Sequence, residues 1–148
     1  MLDRSKIGHE FPAFQVTLEK GMLRLFARAI GETNPVYIDE EAARAAGYPS
    51  LPMPLTYPFC LGKFIDDPSD TLHLFNLDHS NIVHGEQEFH YYATACVGET
   101  LTGQKRVTDV YDRREGKLEF IEVATVFKDV SGRPVCKAIQ TIVVDNKT

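Results

Sequence analysis

Tryptophan is absent, and the three cysteines, Cys60, Cys96 and Cys136, are odd in number and far apart. Neither a disulfide framework nor a CxxC metal clip can be built from them, so they read as reduced packing residues. An excess of positive charge is also missing: 16 Lys and Arg stand against 21 Asp and Glu, a formal net charge of −5. That balance supplies no sequence-wide attraction to phosphate backbones or anionic lipid, which argues against nucleic-acid or membrane-surface binding. No apolar run approaches the roughly 20 residues of a spanning helix. The opening MLDRSKIGHEF lacks the hydrophobic centre of a signal peptide, so a cytoplasmic location is expected. What is present is ordinary for a globular domain: 148 residues, 43% hydrophobic and 25% charged. This is enough for one core and too little for two, and residues 1–148 are read as a single domain.

The prolines crowd the middle of the chain, whereas the C-terminal half is strand-like with Gly-centred breaks. An extended segment around Phe11 to Val16 comes first. Thr17 then caps a helix whose apolar residues Leu18, Met22, Leu25, Phe26 and Ala29 recur at three- and four-residue steps. Gly31 ends it. After the turn Thr33-Asn34-Pro35 and an extended return, the run Asp39 to Gly47 has acids in its first turn and glycine after its last, a short second helix. Leu55 to Ile65, with Phe59, Leu61 and Phe64 among few charges, reads as a largely buried helix. Pro58 is compatible only with its first turn, so it starts near Thr56.

From Asn81 onward β-branched and aromatic residues dominate: IVHGEQEFHYYA, TLTGQKRVTDVYDR, KLEFIEVATVFKD and RPVCKAIQTIVVD. The breaks at 97–99, 114–116 and 130–132 are short enough only for hairpins, which predicts a four-strand antiparallel meander. Strands this long must coil, and a coiled sheet needs something apolar to wrap. The helix near Leu55 to Ile65 is the candidate. The expected class is therefore α+β, a hot-dog fold: a curved antiparallel β-sheet wrapped around a central α-helix.

The most distinctive run is AIGETNPVYID, residues 29–39. It sets Glu32 and Tyr37 on either side of one tight turn, where a carboxylate and a second proton donor could share one substrate, as adding or removing water across a double bond requires. The alternative is a plain turn with Glu32 at a solvated helix end. Within Val83-His84-Gly85-Glu86-Gln87, strict alternation places His84 with Ile82, Glu86, Glu88 and His90, and Gln87, Phe89 and Tyr91 on the opposite face. Gly85 marks a bulge or a close approach. His73, His79 and His90 lack metal-ligand spacing, and no metal is expected. Arg113, Arg114, Lys105, Arg106 and Lys117 could together meet the phosphates of an anionic ligand, although basic residues near hairpins are usually only solvated.

GETNPVYIDEEAARAAGY resembles the hydratase motif of the MaoC-like family, approximately Gly-Asp-x-Asn-Pro-(Ile/Leu)-His-x-Asp followed by Ala and Gly. HGEQEFHYYATACVGETL is similar to the strand with which the N-terminal MaoC-like dehydratase subfamily opens its sheet. The likeness covers nearly the whole chain. It implies a hot-dog protein, usually paired or doubled within one chain, that hydrates trans-2-enoyl thioesters of coenzyme A or acyl carrier protein to (R)-3-hydroxyacyl products without a cofactor. Glu32 stands at the family's Asp position and Tyr37 at its His position. With an ordinary pKa near 10, tyrosine holds its proton at neutral pH and donates a hydrogen bond, but it cycles a proton poorly.

The family's oxyanion site lies at the start of the central helix, here Leu51 to Thr56. Pro52 and Pro54 have no N–H to give, which leaves Met53, Leu55 and Thr56 as donors. In the leading reading Glu32 activates water, Tyr37 or His84 or a partner's residue delivers the proton, Asn34 shapes the turn, and the acyl chain runs past Tyr57 and Phe59. The alternative is a catalytically incomplete acyl-CoA-binding subunit of a heterodimeric dehydratase. A hot-dog thioesterase is a third possibility. Association, as a homodimer or a heterodimer with a second hot-dog subunit, is expected in each case.

Overall fold

The computed structural model describes residues 1–63 and 67–146. Five strands, β1 (Phe14–Thr17), β2 (Ile82–Tyr91), β3 (Thr100–Arg113), β4 (Leu118–Lys128) and β5 (Pro134–Asp145), form one antiparallel sheet in the order β1-β3-β4-β5-β2. The predicted fifth strand is present at one edge, and β3, β4 and β5 are the expected hairpins. The first hairpin of the expected meander is not made. β2 pairs with β5, Ile82 opposite Val144 and Tyr91 opposite Cys136, and the chain then crosses the sheet to reach β3. The break at 97–99 is not a hairpin turn because strand pairing stops at Tyr91. Beyond it, the amides of Tyr92 and Ala93 donate to the Val135 carbonyl, and residues 95–97 pair with the proline-rich segment through Met53 N–H to Ala95 O (2.8 Å) and Val97 N–H to Leu51 O (2.9 Å).

The described residues also form four short α-helices, α1 (Lys20–Ala29), α2 (Glu40–Ala45), α3 (Pro58–Leu61) and α4 (Asp70–Phe75), of which α2 packs on the turn at Pro35–Tyr37. α1 starts two residues later than predicted, because Thr17 ends β1 and its hydroxyl meets that of Thr100 at 2.8 Å. The buried face of α1 is Leu23 and Ala27, with Met22 and Leu25 turned to solvent, a rotation from the apolar stripe the spacing suggested. Its end is as predicted: Gly31 has φ +72°, its N–H reaches Arg28 O and that of Glu32 reaches Ala27 O, the paired bonds of a left-handed glycine cap. α2 is capped by Asp39, whose Oδ1 accepts from the amides of Glu41 and Ala42.

The long central helix expected over Leu55 to Ile65 is one short element, α3, with Pro58 in its first turn and Gly62 just after its end. Phe64 and Ile65 lie outside the described residues. α4 follows, ended by Asn76 in the left-handed conformation (φ 53°). Between them α1, α3, the proline segment and α4 cover the concave face.

That face carries two apolar clusters. One gathers Leu18, Leu23, Tyr57, Leu61, Leu101 and Phe127 beneath α1 and α3. The other gathers Phe11, Val107, Val110, Ile121, Ile142 and Val144 toward the far end of the strands. At roughly 25 cal/mol for each Å² of apolar surface removed from water, these clusters supply most of the drive that orders the sheet.

Candidate active site

The turn after α1 is built by its own side chains. Glu32 folds back so that Oε1 accepts from the amides of Thr33 and Asn34, each at 2.9 Å. Asn34 in turn caps a single 3-10 turn, Pro35–Tyr37, its Oδ1 accepting from Val36 N–H at 3.1 Å. This 3-10 turn replaces the extended return that was expected, because Pro at its first position fixes φ and the Asn34 side chain meets the free amide.

Tyr37 emerges from this turn into a cavity of about 300 Å³ that it lines with Tyr48, Met53, Leu55, Tyr91 and Cys136. Burial pushes the Tyr37 hydroxyl above its usual pKa, and the nearby Glu32 carboxylate and Tyr48 push it further. At neutral pH it is therefore a protonated hydrogen-bond donor. Burial also raises the Cys136 thiol to about 11, so this cavity contains no thiolate nucleophile. Tyr91 donates its hydroxyl to the Leu55 carbonyl at 2.7 Å. In a trans peptide the carbonyl and the next N–H point in opposite directions, so this bond fixes the aim of the Thr56 N–H as well. Of the three expected backbone donors, Met53 is taken by the Ala95 carbonyl.

A second cavity, about 290 Å³, lies further along β2 and β5, beneath α3 and α4. Phe59 and His84 line it together with their rings 5.1 Å apart, and His84 Nε2 meets the Glu86 carbonyl at 3.0 Å. Tyr57 lines neither cavity: it is 4% exposed and packs edge-to-face on Phe26, a core residue. The three acid–base candidates are thus divided. Glu32 braces the turn, Tyr37 lines the first cavity and His84 the second. The basic group is divided too, because Lys105 faces inward and pairs with Asp70, while Arg113 lies over the Tyr111 and Phe120 rings.

Residues 5–138 match the family described as the FAS1-like, dehydratase domain region. The chain belongs to the FAS1-like dehydratase family. It is also 37% identical over 150 residues to the UPF0336 protein of Saccharopolyspora erythraea, covering 96% of this chain and 90% of that one. Among solved structures, it is similar to the HadBC (3R-hydroxyacyl-ACP dehydratase) complex of Mycobacterium tuberculosis, with TM-score 0.77 and 26% identity over 93% of this chain and 96% of that chain. A MaoC-like dehydratase from Phytophthora capsici gives TM-score 0.77 and 25% identity, over 99% of this chain and 51% of that one. The coiled antiparallel sheet with helices in its concavity is accordingly the hot-dog fold, and the MaoC-like resemblance holds.

Within this FAS1-like dehydratase chain, strict alternation misassigned β2. The register slips between His84 and Glu86, a bulge at Gly85. A Cβ at Gly85 would stand 2.6 Å from Val143 Cγ2, so the close approach is real as well. The extra residue turns Gln87, Phe89 and Tyr91 to the same concave face as Ile82 and His84. Only the glycine hinted at this, and the residues it redirects line both cavities. Among the described residues, no helix is long and apolar enough to cross a membrane.

Proposed function

We propose that this chain is the substrate-holding half of a two-subunit, (R)-specific 3-hydroxyacyl-thioester dehydratase, an enoyl-thioester hydratase in the reverse direction. The observation that carries this reading is the separation of His84, in the second cavity, from Tyr37 and Glu32 beside the first, so that among the described residues no carboxylate–histidine pair lines one cavity. The thioester lies in the first cavity, its carbonyl toward the Leu55–Thr56 backbone that Tyr91 steadies, with Tyr37 donating a hydrogen bond. A second hot-dog subunit supplies the base that takes the C2 proton and the acid that protonates the departing C3 hydroxyl, giving water and a trans-2-enoyl thioester. The likeness to a chain of the HadBC complex supports a two-subunit arrangement. Coenzyme A or acyl carrier protein delivers the acyl group, and the reaction runs in the cytoplasm.

The test is calorimetry and turnover on the purified chain, alone and with each candidate hot-dog subunit from the same organism. Acyl-CoA should bind to the chain alone without reaction. Loss of crotonyl-CoA absorbance should begin only when the partner is added, and Tyr37→Phe should slow it about tenfold or more. One observation favours a self-sufficient hydratase instead: Glu32 is close enough to Tyr37 to hold its pKa up. Turnover by the chain alone, abolished by Glu32→Gln, would establish that second reading.

A further inference from the structure

The two cavities are neighbours that stay separate, and the order of side chains along the chain shows what parts them. On β2 the consecutive inward residues are Tyr91, Phe89 and Gln87. Tyr91 lines the first cavity, Gln87 the second, and Phe89 neither. The segment that leads into α3 repeats this order from above: Leu55 lines the first cavity, Pro58 and Phe59 the second, and Tyr57 neither. β5 adds no third barrier, because Cys136 lines the first cavity and Ala138, two residues on, lines the second. Two such positions are about 7 Å apart along a strand, so the partition is about one ring thick.

The two halves of this partition are held differently. Tyr57 is almost wholly buried, with the Phe26 ring edge-to-face on it at 5.1 Å, and it belongs to the core as much as to the barrier. Phe89 is half-buried. It stands opposite Ala138, whose small side chain leaves room for the ring, and it stacks on Tyr91 with centroids 6.1 Å apart. Its remaining packing is against the cluster that holds Tyr57 and Leu61. Phe89 is therefore the part of the barrier that can be cut back with the smaller loss of core.

We propose that Phe89 closes the far end of the acyl pocket, so that the first cavity takes short and medium acyl chains and the second stays out of their reach. This rests on the thioester reading of the first cavity. That cavity's volume of about 300 Å³ holds roughly ten heavy atoms at about 30 Å³ each. Once the thioester sulfur and carbonyl oxygen are seated, an acyl chain of up to about eight carbons fills it. A longer chain has to displace the Phe89 ring, which costs its packing, or turn back into water, which gains nothing. Phe89 is a specificity-determining residue in this account, since it meets the end of the substrate that does not react.

The experiment is calorimetric titration of the full chain, with its partner subunit where one copurifies, against coenzyme A and butyryl-, octanoyl- and dodecanoyl-CoA. Each methylene that leaves water for an apolar pocket tightens binding about fourfold. Wild type should gain about tenfold or more from butyryl to octanoyl and then stop, with dodecanoyl-CoA bound no better than octanoyl-CoA. Phe89→Ala joins the cavities, and dodecanoyl-CoA should then bind about tenfold or more tightly than octanoyl-CoA. Phe89→Leu, which keeps most of the packing volume if Phe89→Ala does not fold, should move the limit the same way by a smaller step. Val110→Ala, a cut in the other apolar cluster, should leave the limit where it is. Wild-type affinity that keeps climbing from octanoyl to dodecanoyl overturns the proposal. So does a limit unmoved by both Phe89 substitutions, and so does one that Val110→Ala moves as far, which would mean general loosening of the core. Those results leave the thioester reading intact, because acyl-CoA still binds. Acyl-CoA that binds no better than coenzyme A overturns that reading and this proposal together.

Discussion

The concave face of one sheet serves two purposes, and the contrast between its filled and hollow parts separates them. Under α1 and α3, Leu23, Leu101 and Phe127 are fully buried and in contact, and at the far end Val107 and Ile121 are equally closed in. Between these clusters the strands carry Gln87, Gln140, Thr125 and Lys105 over a cavity. A chain selected for stability alone would place Val, Leu or Ile at those positions and join the two clusters into one core. Instead the sheet keeps a gap there, and the two clusters stay apart. The filled clusters hold the curvature; between them the band of polar side chains only lines a cavity.

Substitutions in the two regions should differ in kind. The largest effect belongs to the filled part: Leu101→Ala removes a wholly buried side chain and should cost about 4 kcal/mol in denaturant unfolding with little change in slope. Asp70→Asn comes next. It strands the Lys105 ammonium, only 15% exposed, and should cost about 2 to 3 kcal/mol; the loss should shrink in Asp70→Asn combined with Lys105→Met.

Gly85→Ala probes the joint between the regions. The new methyl meets Val143 Cγ2, and a loss of about 1 to 2 kcal/mol is expected, read as a melting temperature lower by about 2 to 8 °C. If hydrogen exchange shows the bulge straightened, acyl-CoA affinity should fall as well, because Tyr91 then leaves the concave face and its bond to the Leu55 carbonyl. The smallest effect is predicted for Gln87→Leu, within about 1 kcal/mol of wild type, since the unmet acceptor is removed along with one good hydrogen bond. A loss as large as that of Leu101→Ala would break the comparison, because the band would then be core.

Much of this arrangement was legible beforehand, for local reasons. Alternating β-branched and aromatic residues identify a strand wherever it later pairs, so all five strands were found. Gly31 and Asp39 mark helix ends through bonds made within a few residues, and those ends lie where expected. Pro58 could stand only in a first turn, and it does. The two family blocks, around residues 31–48 and 84–101, pointed to the family that the chain matches. Tyr37 and Glu32 were found to share one turn, as their spacing requires.

What went unread depends on partners distant in sequence. The order β1-β3-β4-β5-β2 could not follow from loop length, because residues 92–99 are held by Leu51, Met53 and Val135 rather than by their neighbours. One extra residue at Gly85 inverts every later side chain of β2, and only the crowding against Val143 on β5 fixes where that residue lies. Local periodicity settled the strands and the fold class, and the two blocks that resemble the MaoC-like family pointed to the family, because each is written within a few residues of itself. Which residues meet in a cavity was settled by pairing across strands, where a single-residue slip decides whether a glutamine faces water or the inside of the fold.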